Sequence, residues 1–220
     1  MSLNLDRAGD VSQAVSEVTP DFGEATEEGE LLLAWAQSNN PSATSALAMD
    51  STSLGNGWAQ IEGTGNGYNW SGLWYKPNAG ADEAAPTFLD DGYTINAGLL
   101  AFSGLTSSPL DQSGAADATD PVPASAVDTA AGDLIVALST WNGPNADPTF
   151  SQTLYGSSGS AITTVEAQSN SGTTADSGMY YCVSYQQNVV PLGSDPNAVS
   201  VTISENEGYV SGIIASFLAA

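Results

Sequence analysis

Apolar residues along this chain fall in short runs, each bounded by glycine, proline, asparagine or aspartate. Runs of that length between turn residues read as β-strands. Residues 31–36 are continuously apolar, the pattern of a strand buried on both faces. Residues 71–76 predict a second strand, stopped by Pro77, and residues 87–89 alternate. Residues 94–103 predict a longer strand with Gly98 inside it, the mark of a bulge or a close approach. Gly55-Asn56-Gly57 and Gly63-Thr64-Gly65-Asn66-Gly67 read as turns, with Asn-Gly favouring a hairpin. Further on, residues 179–183 form an apolar run, Val199, Val201 and Ile203 alternate, and residues 213–218 form a last apolar strand.

The pattern occurs twice. Glu28-Gly29-Glu30-Leu31-Leu32-Leu33-Ala34-Trp35 returns as Ala131-Gly132-Asp133-Leu134-Ile135-Val136-Ala137-Leu138. Ser71-Gly72-Leu73-Trp74-Tyr75 returns as Ser177-Gly178-Met179-Tyr180-Tyr181, and Asn96 to Phe102 returns as Val210 to Ser216. A repeated unit sets the fold before any local assignment does. Each half is too poor in strands to close a core alone. Pairing the halves face to face would bury both apolar faces.

The expected fold is therefore all-β, a sandwich or jelly-roll-like architecture over residues 28–220. It is built from duplicated halves at about 28–105 and 131–220. Residues 106–130 are rich in Pro, Ala, Ser, Asp and Thr and join the halves as a linker or a crossing loop. One sandwich is preferred over two domains, and exchange of strands between sheets stays open. Residues 1–27 are polar and irregular, and are expected to form an N-terminal arm that orders on its neighbours. Val11 and Val15 also fit a strand there.

Composition changes the picture through charge. Twenty-five Asp and Glu stand against two bases, Arg7 and Lys76, for a formal net charge of −23. The acids are not unusually abundant; Lys and Arg are missing. The plain meaning is a solvated, self-repelling surface, with salt adaptation open but not compelled. Two bases cannot neutralise a row of phosphates or hold an anionic bilayer, so nucleic acid and membrane surfaces are excluded as partners. No apolar run approaches membrane-spanning length, and residues 1–7 carry no apolar h-region, so a cytoplasmic site of synthesis is expected. Cys182 is the only cysteine; it reads as a small buried hydrophobe, and no intramolecular disulfide exists.

Candidate chemistry is sparse. The absence of histidine removes the usual general base, the Ser-His-Asp and Cys-His triads, and most zinc or iron sites. No glycine-rich loop is followed by Lys-Ser/Thr, so there is no P-loop. Carboxylates remain: Asp82-Glu83, Asp90-Asp91, Asp117 with Asp120, and Glu205 with Glu207. Two carboxylates suffice for a glycosidase, but most of these acids lie in Gly/Ala/Pro-rich segments where solvation is the default, and no enzyme is expected. Asp90, Asp91, Glu205 and Glu207 sit in equivalent acidic turns of the two halves and are weak candidate Ca²⁺ ligands, without EF-hand spacing. No other cofactor is expected. Trp58, Tyr68 and Trp70 flank Gly/Asn-rich turns and are candidate contacts for a glycan or a protein partner. The strand pairs Trp74-Tyr75 and Tyr180-Tyr181 should each send one ring inward. Lys76 should pair with a carboxylate or protect a sheet edge.

Several of these segments carry a resemblance. The run from Val18-Thr19-Pro20-Asp21-Phe22-Gly23 through residues 27–35, then Leu73-Trp74-Tyr75-Lys76, then residues 98–105, resembles a pattern of tailed-bacteriophage structural proteins. A second Gly-Asp-Leu-Ile-Val-Ala strand at residues 132–137 and an apolar final strand extend it from about residue 18 to the end. The resemblance implies a virion β-sandwich of the minor capsid or decoration type. It implies the major capsid protein as partner, homo-oligomers in the particle, and no catalytic residues. A tail- or fibre-associated glycan-binding module is the alternative.

Overall fold

The computed structural model describes residues 3–41, 47–118, 133–143, 150–155, 163–171, 178–186, 198–203 and 209–220. The first half holds β1 (Asn4–Ala8), β2 (Ser12–Val18), β3 (Leu31–Ser38), β4 (Ala48–Met49), the short helix α1 (Ser51–Gly55), β5 (Ala59–Asn66), β6 (Asn69–Lys76) and β7 (Phe88–Ser103). The second holds β8 (Leu105–Ala118), β9 (Leu134–Gly143), β10 (Phe150–Tyr155), β11 (Thr163–Ser171), β12 (Gly178–Gln186), β13 (Ala198–Ile203) and β14 (Tyr209–Ala219). The chain is all-β and sandwich-like.

Each half keeps its strands in its own sheet. The first sheet runs β1-β7-β3-β6-β5, with β2 and β4 also on β7; the second runs β11-β12-β9-β14-β8. A separate ribbon pairs β10 with β13. No strand is traded between the two main sheets among the described residues, so the jelly-roll style of exchange is not used. Read from edge to edge, the orders β5-β6-β3-β7-β1 and β11-β12-β9-β14-β8 are the same order. The duplication is therefore a duplication of topology.

The uniform apolar run of residues 31–36 has a simple cause. Leu31, Leu33 and Trp35 enter the interior shared with the second sheet, beside Leu134, Val136, Leu138, Val183, Ile213 and Phe217. Leu32, Ala34 and Ala36 enter a second cluster on the outer face, with Trp58, Trp74, Phe88, Val18 and Phe22. Both faces of β3 are covered, so every residue of it is buried. Each large side chain buried there contributes about 1.5–3 kcal/mol of transfer free energy.

The ladders correct the sequence alignment of the repeat. Trp35 lies opposite Leu73 and Gly98; its counterpart Leu138 lies opposite Val183 and Ile213. Sequence similarity instead matches Leu73 with Met179 and Gly98 with Gly212. The first slip is four residues and keeps the face. The second is one residue and would turn Ile213, Ala215 and Phe217 away from the interior they occupy.

Three boundary expectations also change. Residues 4–18, expected within a polar arm, form β1 and β2 on the chain's own β7. Residues 105–118, most of the expected connection, form β8 on β14. The chain passes from β7 to β8 through Gly104 alone, at φ +85°, a conformation open to glycine. Residues 119–130 lie outside the described residues. Finally, Gly63 to Asn66 belong to β5, and only Gly67-Tyr68 turns, with Gly67 at φ +58°. A glycine with positive φ first in a two-residue loop suits the twist of a hairpin.

Candidate functional site

The candidate site residues fall in different places, and the structure does not gather them. Trp58 is 3% exposed and belongs to the cluster beneath the first sheet, against the expectation of a surface ring. The chain folds it under because α1 ends just before it: Asp50 accepts from the Ser53 N–H at 2.8 Å, starting one helical turn that closes at Asn56.

Tyr68 is the surface aromatic, 51% exposed at the β5–β6 turn. Its ring meets Tyr209 of the second half at 5.7 Å between centroids. Gly67 is required there, because a Cβ on it would fall inside the Tyr209 ring. Trp70 is half-buried and lies across Gly65, where a Cβ would strike its ring. The Trp70 indole Nε1 is buried without a protein hydrogen-bond partner. The Asn142 amide Nδ2 donates to the Tyr68 carbonyl and ties this tip to the second sheet. Tyr209 and Asn142 were not singled out as contacts from sequence.

Asp90 is no turn residue. It lies in β7 and is 1% exposed. Its carboxylate accepts from Ser38 Oγ and from Asn40 Nδ2 at 2.7 Å, one donor on each oxygen. Its neighbour Asp91 is exposed, at a bulge where β2 skips from Thr94 to Asp90. The two acids therefore face different surroundings, and no group of three or more metal-ligating side chains occurs among the described residues. Glu205 and Glu207 lie outside the described residues, as does Asp120.

Both bases are committed. Arg7 on β1 pairs with Glu30 just before β3, with both side chains largely buried. Lys76 Nζ lies 2.6 Å from Glu83 Oε2. Burial alone would push the Glu83 carboxyl up, but the Lys76 hydrogen bond, the Gly80 N–H and the Lys76 charge outweigh it and hold the carboxyl below its ordinary value. Cys182 is buried, as its apolar run suggested.

Among the described residues, a layer of buried polar side chains lies inside the sandwich, at the tyrosine end. Gln37 Nε2 donates to Asn69 Oδ1 and to the Trp141 carbonyl, both at 2.9 Å. Asn69 Nδ2 reaches Thr140 Oγ1 at 3.0 Å and Ser211 Oγ at 3.2 Å. Asn96 Nδ2 lies 3.5 Å from Gln37 Oε1. Gln37, Asn69 and Asn96 are fully buried. Sequence reading missed this layer, although Gln37 continues the inward alternation of Leu31, Leu33 and Trp35. The arrangement can hold two sheets in one register; its Thr140 and Ser211 hydroxyls are buried and lie within hydrogen-bond distance of the Asn69 amide. Comparison of the chain with protein-family models, with curated proteins and with solved structures finds no match.

Proposed function

We propose that this protein is a structural component of a virion, a decoration or minor capsid protein that binds the outer surface of a phage head through the major capsid protein. The observation that carries the reading is the commitment of both basic side chains to ion pairs, which leaves an acidic exterior with no free Lys or Arg. Such an exterior repels packaged nucleic acid and suits the outside of a shell. A duplicated β scaffold whose buried polar groups hold sheets together fits a scaffold role better than a reaction site.

Homo-oligomers on the particle and a virion location belong to the same proposal. The N-terminal segment enters it only as part of the folded sheet, since β1 and β2 are spent on β7. The test is co-sedimentation of the purified chain with emptied phage heads and with intact tails. Saturable binding to heads is expected. Absence from heads at micromolar protein would overturn the reading.

A glycan-binding module on a tail or fibre is the second reading, favoured by one observation: Tyr68 stands half-exposed beside Tyr209 at a turn. Rings of that kind stack on sugar faces. Binding to tails that is lost in Tyr68→Ala would move this reading to first place.

A further inference from the structure

A duplicated chain has a problem that a unique chain lacks. Its two sheets share a strand order, so each could pack on a copy of itself in a second molecule as well as on its partner in the same chain. The packing of the sheets makes the alternative concrete. β6 lies beside β14, and β12 lies on β7 through the edge contact of Tyr185 with Phe102 at 5.4 Å. Exchanging the halves maps one of these contacts onto the other, although the close packing of β5 on β8 and β14 is not repeated to the same extent by the counterparts β11, β1 and β7.

The interior residues are not duplicated. By the ladders, Gln37 and Asn96 correspond to Thr140 and Ser211. Asn69, one step beyond Trp70 opposite Ser38, corresponds to Met179, one step beyond Tyr180 opposite Trp141. The first sheet thus brings three amides and the second brings two hydroxyls and a thioether. Gln37 and Asn69 donate across the gap to the Trp141 carbonyl and to the Thr140 and Ser211 hydroxyls, while Gln37 also joins Asn69 and Asn96 within the first sheet.

We propose that this layer is a pairing code, which selects the first sheet against the second sheet of the same chain and rejects either sheet against its own copy in a second molecule. In a first-with-first pairing, Asn69 would meet Gln37 and Asn96 where Thr140 and Ser211 now stand, and the larger amides overfill the gap. In a second-with-second pairing, Met179 would meet Thr140 and Ser211, and buried hydroxyls would lose their partners. Side-chain volume adds to the code. Trp35 packs on Tyr181 with centroids 4.3 Å apart, whereas their counterparts are Leu138 and Ser71. Pairing like with like would set Trp35 over Ser71 and open a void on each side.

The test is to make the full chain symmetric: Gln37→Thr, Asn69→Met and Asn96→Ser together give the first sheet the residues of the second. Correct pairing is read by a short thiol cross-linker between Glu62→Cys and Ser113→Cys. These side chains touch across the two sheets at 2.8 Å in the native chain, and Cys182 is buried out of reach. After refolding from urea at high protein concentration, the otherwise native chain should cross-link within itself almost completely. The symmetric chain should refold to β structure, its internal cross-link should fall at least about twofold, and a species of doubled mass should appear. Native cross-link yield and native mass would overturn the proposal. Asn69→Ser, read in the same way with a smaller expected fall, covers a symmetric chain that does not refold. Failure of both chains to refold would also overturn it, since the amides would then be needed for any compact state and would not be choosing between partners.

Discussion

The two halves place the same strands in the same order and fill them by different rules. At the centre of the first sheet, Trp35 spreads over Gly98, where a Cβ would fall 2.6 Å from its Nε1. At the same point of the second sheet, Leu138 sits opposite Ile213 and Val183, three aliphatic residues of middling size. One solution is large plus absent, the other is medium throughout. Interiors need their volume filled, and a strand frame tolerates more than one way of filling it. The covers differ too. The first sheet is roofed by Val18 of β2, Phe22, Met49 of β4 and Trp58, whereas β10 lies beside β12 and β13 beside β14.

The largest expected effect tests that contrast directly. Trp35→Ala should cost about 3–5 kcal/mol and Leu138→Ala about 2–5 kcal/mol, the first exceeding the second because the Tyr181 ring also loses its partner. Urea unfolding of both variants measures the order; a larger loss at Leu138 would mean that the aliphatic centre dominates.

The glycine should matter only through the tryptophan. Gly98→Ala should destabilise by about 1–3 kcal/mol in the native background and by much less in Trp35→Leu, which carries the second half's residue. A double-mutant cycle gives the coupling, and additivity would show that Gly98 serves some other need.

Charge separates the halves more weakly. Both bases, Arg7 and Lys76, belong to the first half. Glu83 is held below its ordinary value of 4.5, so its pairing with Lys76 is fully present above that pH. The contribution drains away as acid carries the carboxyl through its lowered value. Lys76→Met should cost no more than about 1 kcal/mol at neutral pH and should flatten that part of the acid dependence. Thermal melts between pH 7 and pH 3 follow both.

Tyr68→Ala should change stability least, within about 0.5 kcal/mol, because the ring is half in solvent. A larger loss would mean that its contact with Tyr209 and the Asn142 tie to its carbonyl help to clamp the two halves together.

Much of this was legible in the residues. Runs such as 31–36 and 134–138 announced strands, and their recurrence announced two halves that pack face to face, because alternation and burial follow from the backbone geometry of a strand. The lone buried Cys182 was also readable, whereas pairing of Lys76 with a carboxylate was one of two open readings. Register was not. Nothing local distinguishes Gly98 matched with Gly212 from Gly98 matched with Ile213, since the choice is made by the neighbouring strand. Segments 4–18 and 105–118 looked irregular because each covers a sheet's edge or face with few apolar residues, and their order comes from ladders to β7 and β14. Trp58 and Asp90 were misplaced for the same reason. A turn-flanking ring and an acid beside a glycine look exposed until the rest of the fold closes over them.

By itself, then, the sequence determined the all-β class, the duplication, the acidic balance and the lack of histidine chemistry, because these depend on residue type and short-range order. Only the tertiary structure decided which sheet each strand joined and which residues face one another. It also brought Gln37 and Asn69 of one half to Trp141, Thr140 and Ser211 of the other, because those partners lie far apart along the chain and meet only when two sheets pack.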